Sequence, residues 1–280
     1  MKKYFISALS VACVIFSFNL LLAADTWTPK TDFYSVRADA VGFAIGSRGY
    51  VGLGADASTI WKDLWEYDPA AGTWTQKADF GGTARYAAVG FAIGGKGYVG
   101  TGFDGSVSLN DFWEYNPDTN AWTQKADFRG TARYGATGFA IGNRGYLGTG
   151  YDGTYCKDFW EYNPDTDAWT QKANLDLGTI IPYGRIYAVG FSIGTKGYAG
   201  LGFRQGLFSF TYQDFWEYDP AADTWTLKAS LPEGSRLNAV GFSIGTKGYV
   251  GLGYQNLGTP VYYQDFWEYD PAADAWTRKA

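Results

Sequence analysis

The chain has 280 residues with 23 Lys and Arg against 28 Asp and Glu, a net charge of −5; 46% of it is hydrophobic and 19% aromatic. It has no histidine and two cysteines, which removes imidazole bases, Ser-His and Cys-His nucleophile pairs and His-ligated metals. The acidic balance argues against nucleic acid as a partner, because that calls for basic patches.

Residues 1–24 open with Lys2-Lys3, run through an apolar stretch from Tyr4 to Leu22 and reach Ala23-Ala24 before Asp25. Basic, then apolar, then small residues predict a signal peptide cleaved near Ala23 or Ala24. The expectation is an exported protein, periplasmic, cell-surface or secreted, with no membrane insertion after cleavage. Two other readings stay open. One is an uncleaved anchor, weakened by Ser7, Ser10, Ser17 and Asn19. The other is a lipoprotein at Cys13, poorly served by Ser10-Val11 upstream. Cleavage takes two lysines and no acids away, moving the net charge from −5 to −7. It leaves Cys156 without an intrachain disulfide partner. With no histidine to activate it, Cys156 reads as a filler at a loop end, not a nucleophile.

From Trp27 onward the chain repeats. A GFAIG or GFSIG segment begins at Gly42, Gly90, Gly138, Gly190 and Gly241. A D-[FL]-W-E-Y segment begins at Asp63, Asp111, Asp158, Asp214 and Asp265, and W-T-x-K-A at Trp74, Trp122, Trp169, Trp225 and Trp276. The period of roughly 47 to 56 residues is that of a propeller blade. In the second copy Ala88–Ile93 and Tyr98–Gly102 flank a Gly-rich hairpin turn, Asp111–Tyr115 makes a third strand, Asn116–Asn120 an Asx-Pro turn, and Trp122–Ala126 a fourth strand. Four short antiparallel strands per copy, with no helical periodicity, predict an all-β propeller of four-stranded blades over residues 25–280.

Arg85, Tyr98, Tyr115-Asn116-Pro117 and Trp122 together resemble the kelch repeat. The usual kelch glycine doublet is replaced by G-x-G, at Gly52/Gly54, Gly100/Gly102, Gly148/Gly150, Gly200/Gly202 and Gly251/Gly253. Kelch propellers carry unrelated functions, so the resemblance does not choose one. Galactose oxidase is a secreted kelch-fold enzyme, but its copper site uses histidines, which this chain lacks. A secreted kelch-type sialic acid mutarotase is the enzyme that the resemblance leaves open.

Two charged series recur. The third-strand glutamates Glu66, Glu114, Glu161, Glu217 and Glu268 are expected to accept hydrogen bonds from backbone or Arg rather than to act as acids or bases, because one active site does not need five equivalent carboxylates. Arg37, Arg85, Arg133, Arg185 and Arg236 open the first strands. They are expected to pair, with Arg85, Arg133, Arg185 and Arg236 kept as ligand-binding candidates. Arg48, Lys96, Arg144, Lys196 and Lys247 sit at the opposite rim among acidic turns, a solvated mixed-charge face.

The copies differ in two loop sets on one end of the ring, where binding is expected. The later loops are longer and aromatic. Trp61, Tyr155, Tyr183, Phe208, Phe210, Tyr212, Tyr262 and Tyr263 are the aromatic candidates, with Ile180 and Ile181 nearby; such clusters suit sugars or peptides. No asymmetric carboxylate pair stands out for glycoside chemistry. The reading is therefore an exported, non-catalytic binding module for a glycan or protein, needing no cofactor or metal. The alternative is a metal-free carbohydrate-active enzyme such as an epimerase or mutarotase.

Thr26–Lys30, TWTPK, resembles a fourth strand without its first three. Five complete repeats plus this orphan strand predict either a five-bladed ring or an incomplete six-bladed one, the second needing about 40 further residues after Ala280.

Overall fold

A computed structural model describes residues 26–175, 184–206, 209–255 and 258–279. Among the described residues every regular element is a strand. The first blade is β1 (Val41–Ile45), β2 (Arg48–Gly52), β3 (Leu64–Asp68) and β4 (Thr73–Gln76). The second is β5 (Val89–Ile93), β6 (Lys96–Gly100), β7 (Phe112–Asn116) and β8 (Ala121–Lys125). The third is β9 (Thr137–Ile141), β10 (Arg144–Gly148), β11 (Phe159–Asn163) and β12 (Ala168–Lys172). In the fourth, β13 (Val189–Ile193) and β14 (Lys196–Gly200) are separated from β17 (Phe215–Asp219) and β18 (Thr224–Lys228) by a small ribbon, β15 (Phe203–Arg204) with β16 (Phe210–Thr211). The fifth repeats this: β19 (Val240–Ile244) and β20 (Lys247–Gly251), a ribbon of β21 (Tyr254–Gln255) and β22 (Val261–Tyr262), then β23 (Phe266–Asp270) and β24 (Ala275–Arg278). Each blade is an antiparallel meander of four strands, and the five stand in a ring with the first strands innermost.

The strand sequences follow from that geometry. Phe112 and Tyr98 face the following blade, meeting Tyr162 and Trp169, while Trp113 and Tyr115 face the preceding one, meeting Phe80 and Tyr50. The first and second strands must both be thin on the face toward the preceding blade, at Gly90 and Gly97 in the second blade. Phe43, Phe91, Phe139 and Phe191 lie on Gly97, Gly145, Gly197 and Gly248, where a Cβ would stand 2.4, 2.6, 2.3 and 2.4 Å from the ring. The G-x-G pair is equally constrained. The middle residue of each lies in the left-handed region (Thr101, φ 58°), and a Cβ on Gly100 or Gly102 would press on the backbone of its own blade.

Each repeat is locked by one buried ion pair. The guanidinium of Arg85 donates to both Asp111 oxygens, at 2.5 and 2.8 Å, and to the Thr101 carbonyl at 3.0 Å. The Trp113 indole donates to the same carboxylate at 2.7 Å. Arg37–Asp63, Arg133–Asp158, Arg185–Asp214 and Arg236–Asp265 repeat the arrangement. The D-x-W spacing exists so that one strand supplies both the carboxylate and an indole donor to it.

The glutamates take a different partner from the one expected. Glu66, Glu114, Glu161, Glu217 and Glu268 each accept from the second-strand tyrosine opposite (Tyr98 to Glu114, 2.7 Å) and not from Arg. The arginine lies at the other end of the blade. Four of the five rim bases pair with turn acids, as Arg48–Asp68, Arg144–Asp165, Lys196–Asp219 and Lys247–Asp270, while Lys96 pairs with Glu114.

Four junctions between blades are alike. On the axis, N–H groups of Ala87, Gly135, Tyr187 and Asn238 donate to the carbonyls of Asp39, Ala87, Gly135 and Tyr187. At the outside, the indoles of Trp122, Trp169, Trp225 and Trp276 donate to the carbonyls of Ala78, Ala126, Ala173 and Ala229. Between the fifth blade and the first, the described residues have no such axial bond, and Val240, Phe242 and Ile244 of β19 are 46%, 38% and 63% exposed. The expected N-terminal strand forms no ladder, and residues 26–31 run as an irregular segment across that opening.

Because the Arg85 side chain is fully buried, Arg85→Met, which strands Asp111, is expected to cost about 3–5 kcal/mol in urea unfolding. Burial pushes the Asp63, Asp111 and Asp265 carboxyls up, but hydrogen bonds from their arginines and tryptophans and the arginine charge bring them below the ordinary range. Folded values below the unfolded ones stabilise fully above pH about 5 and lose that contribution as pH falls through about 4 and lower. An acid titration followed by circular dichroism is expected to show stability declining on that limb.

Candidate functional site

The loops that differ among repeats gather at the end of the ring where the arginines lie. At the centre of that end is a cavity of about 410 Å³, lined by Asp39, Ala87, Gly135, Tyr187, Asn238 and the small residues around them. These five occupy the same place, two residues after Arg37, Arg85, Arg133, Arg185 and Arg236, and all have positive φ, from 52° at Asp39 to 61° at Gly135. Their amide-to-carbonyl chain holds the backbone in this conformation and aims the side chains at the axis. The repeat is thus broken here: three copies bring a carboxyl, a phenol and an amide, and two bring almost nothing. Burial raises the Asp39 carboxyl. Burial also raises the Tyr187 phenol, and the charge of Asp39 adds to it.

A belt of half-buried aromatics rims the second and third blades. Tyr86, Phe103, Tyr134, Tyr151 and Tyr155 touch in succession, with ring centroids 5.7, 5.4, 5.7 and 5.1 Å apart. The belt arises because the residue after each of these Arg positions bridges to the residue after G-x-G, as Tyr86 to Phe103 and Tyr134 to Tyr151. On the fifth blade Tyr254 and Tyr262 meet at a tilt, with centroids 5.6 Å apart.

The sequence-predicted candidates divide. Phe210 and Tyr262 are exposed, Tyr262 at 74%, and Tyr155 ends the belt. Trp61, Tyr212 and Tyr263 lie over the guanidinium groups of Arg37, Arg185 and Arg236 at 4.7, 4.1 and 3.9 Å, so they cover buried ion pairs. Arg85, Arg133, Arg185 and Arg236 are themselves buried and forked onto aspartates, which turns their donors away from the loop face. Tyr183, Phe208, Ile180 and Ile181 lie outside the described residues. Cys156 occupies the place of Trp61, Tyr212 and Tyr263, two before the aspartate. Burial pushes its thiol up to about 12, which keeps it in the protonated form at neutral pH.

Asp39, Tyr187 and Asn238 escaped the sequence reading because they sit inside an otherwise constant strand entry, where attention falls on the loops. The signal was the run Asp, Ala, Gly, Tyr, Asn at one repeat position. Among the described residues no group of three or more Cys, Asp or Glu side chains is placed to share a metal ion.

The sequence profile of the KLHDC2/KLHL20/DRC7 Kelch-repeats domain matches residues 40–199. No curated protein matches the chain. A solved structure of YjhT aligns over 91% of this chain and 87% of its own, with a TM-score of 0.73 and 16% identity, a likeness of fold.

In a Cys13→Ser chain, Cys156 is expected to react with a disulfide reagent at pH 8 at least tenfold more slowly when native than when unfolded in urea, because only the thiolate attacks. Equal rates would place the thiol at the surface.

Proposed function

The chain belongs to the kelch-repeat family, and on that footing we propose that it is an exported, non-catalytic recognition module whose loop face holds a glycan or protein ligand. The family is one of interaction modules built on a propeller, and the site must be found in what this chain adds to the repeat. The observation that carries the reading is the asymmetric axial mouth. Asp39, Tyr187 and Asn238 offer an acceptor, a phenol and an amide in one concavity, and aromatic faces flank it. A few polar groups that fix orientation amid apolar and aromatic surface are the usual make-up of a ligand site. Tyr rings add contact area at low conformational cost. The exposed Phe210 and Tyr262 extend the surface outward. Export rests on the basic, apolar and small-residue pattern of residues 1–24.

One observation favours the enzyme alternative. A carboxyl raised by burial beside a phenol in a cavity is what proton transfer without a metal would use, so Asp39 and Tyr187 would carry any epimerase or mutarotase activity.

A glycan array and a peptide library, screened with the parent chain, are expected to give a ligand whose binding falls tenfold or more in Asp39→Asn/Asn238→Ala. The same loss is expected in Phe210→Ala/Tyr262→Ala, with Lys96→Ala on the opposite rim unchanged. A ligand insensitive to both pairs would contradict the assignment of the face. Exchange of a bound sugar seen by NMR, lost in Asp39→Asn, would favour the enzyme.

A further inference from the structure

We propose that the opening between the fifth and first blades is a docking site for the first three strands of one further repeat of this sequence type, which completes a sixth blade with residues 27–31 as its outer strand. The proposal is independent of the ligand assigned to the loop face.

Residues 27–31 already make the contacts of a fourth strand on both sides. Trp27 meets Phe266 of the fifth blade edge-on, with centroids 5.0 Å apart. Trp169, Trp225 and Trp276 meet Phe112, Phe159 and Phe215 in the same way, at 4.9, 4.9 and 5.0 Å. Toward the first blade, the Trp74 indole donates to the Thr31 carbonyl, as Trp122 donates to Ala78. Phe33 packs on Trp74 as Phe80 packs on Trp122, at 4.9 and 5.0 Å. One short segment thus spans from the fifth blade to the first with the spacing of a single blade. Inside it lies a largely apolar groove of about 300 Å³ walled by Trp27, Phe242, Ile244, Tyr249 and Phe266, with Glu268 and Lys279 at its edge.

The other junctions state what fills such a groove. The ring equivalent to Phe242 always lies on two glycines of the next blade. Here Phe242 is exposed, and the glycines that begin the ring, Gly42 and Gly49, have no atom of another blade within 4 Å of a built Cβ. The carbonyl of each following Arg accepts from the second glycine of G-x-G, as Arg236 does from Gly202. Leu252 of the fifth blade is exposed where Leu53 and Leu201 are buried. The missing partner therefore carries a glycine-faced strand pair toward Phe242 and an aromatic second-strand face toward the first blade, which is the repeat's own pattern. A second folded copy does not fit: with its first blade in the opening, its second would overlap the first blade of the host.

The test adds residues 231–270 of this chain, as a peptide, to the full 280-residue protein. A Gly248→Val peptide is the control, since Gly248 takes the neighbouring Phe ring. The native peptide is expected to bind one to one, to slow hydrogen exchange in residues 240–252 and to bind at least tenfold more tightly than the control. As a second arm, the same two segments are fused after Ala280, and only the native one is expected to raise the melting temperature. The proposal is overturned if neither arm responds or if the two sequences act alike. It is also overturned if the protein alone is a dimer with β19 protected.

Discussion

The contact on which the molecule depends is a phenylalanine ring laid on the glycines of the next blade. It sets the distance between blades, because nothing larger than hydrogen fits at Gly97, Gly145, Gly197 or Gly248. Close packing of this kind tolerates little change in volume. It accounts for the glycines of the first and second strands and the large third strand at once, since space surrendered near the axis is filled by the Trp, Tyr and Phe further out. Near the axis, the recurring residues serve this contact and the Arg–Asp fork that ties the entry of each first strand to the start of the third.

Buried forks of this sort have a consequence for function. A paired, desolvated guanidinium is costly to disturb, so the most conspicuous charges near the loop face are structural. The aromatic residues that cover them, Trp61, Tyr212 and Tyr263, share that role. The proposed recognition surface is what does not repeat: the axial trio Asp39, Tyr187 and Asn238, the aromatic belt, and the outlying Phe210 and Tyr262. The kelch frame is common to the five blades, and the copies differ at only a few positions of that frame.

Much of the frame was legible beforehand, because strand periodicity, hairpin glycines and Asx-Pro turns act locally and recur five times. The pairing of Arg85 with Asp111 rather than Glu114 was not, since it depends on which end of the blade each side chain reaches. Nor were the belt and the axial trio, whose residues are distant in sequence and meet only through the ring. The weak fifth junction was half visible: TWTPK has the sequence of a fourth strand, but only the structure shows that it forms no ladder and touches Phe266 and Trp74 instead.

The junction contact can be tested directly by amide hydrogen exchange on the unliganded protein, compared strand by strand. Local opening reports how well each inner strand is packed. If rings on glycines hold the blades together, β5, β9 and β13 exchange slowly and alike, and β19, whose Phe242 lacks its glycine partners, exchanges markedly faster. Equal protection of β19 and β9 would contradict the account, because stability would then reside within each blade and not between blades.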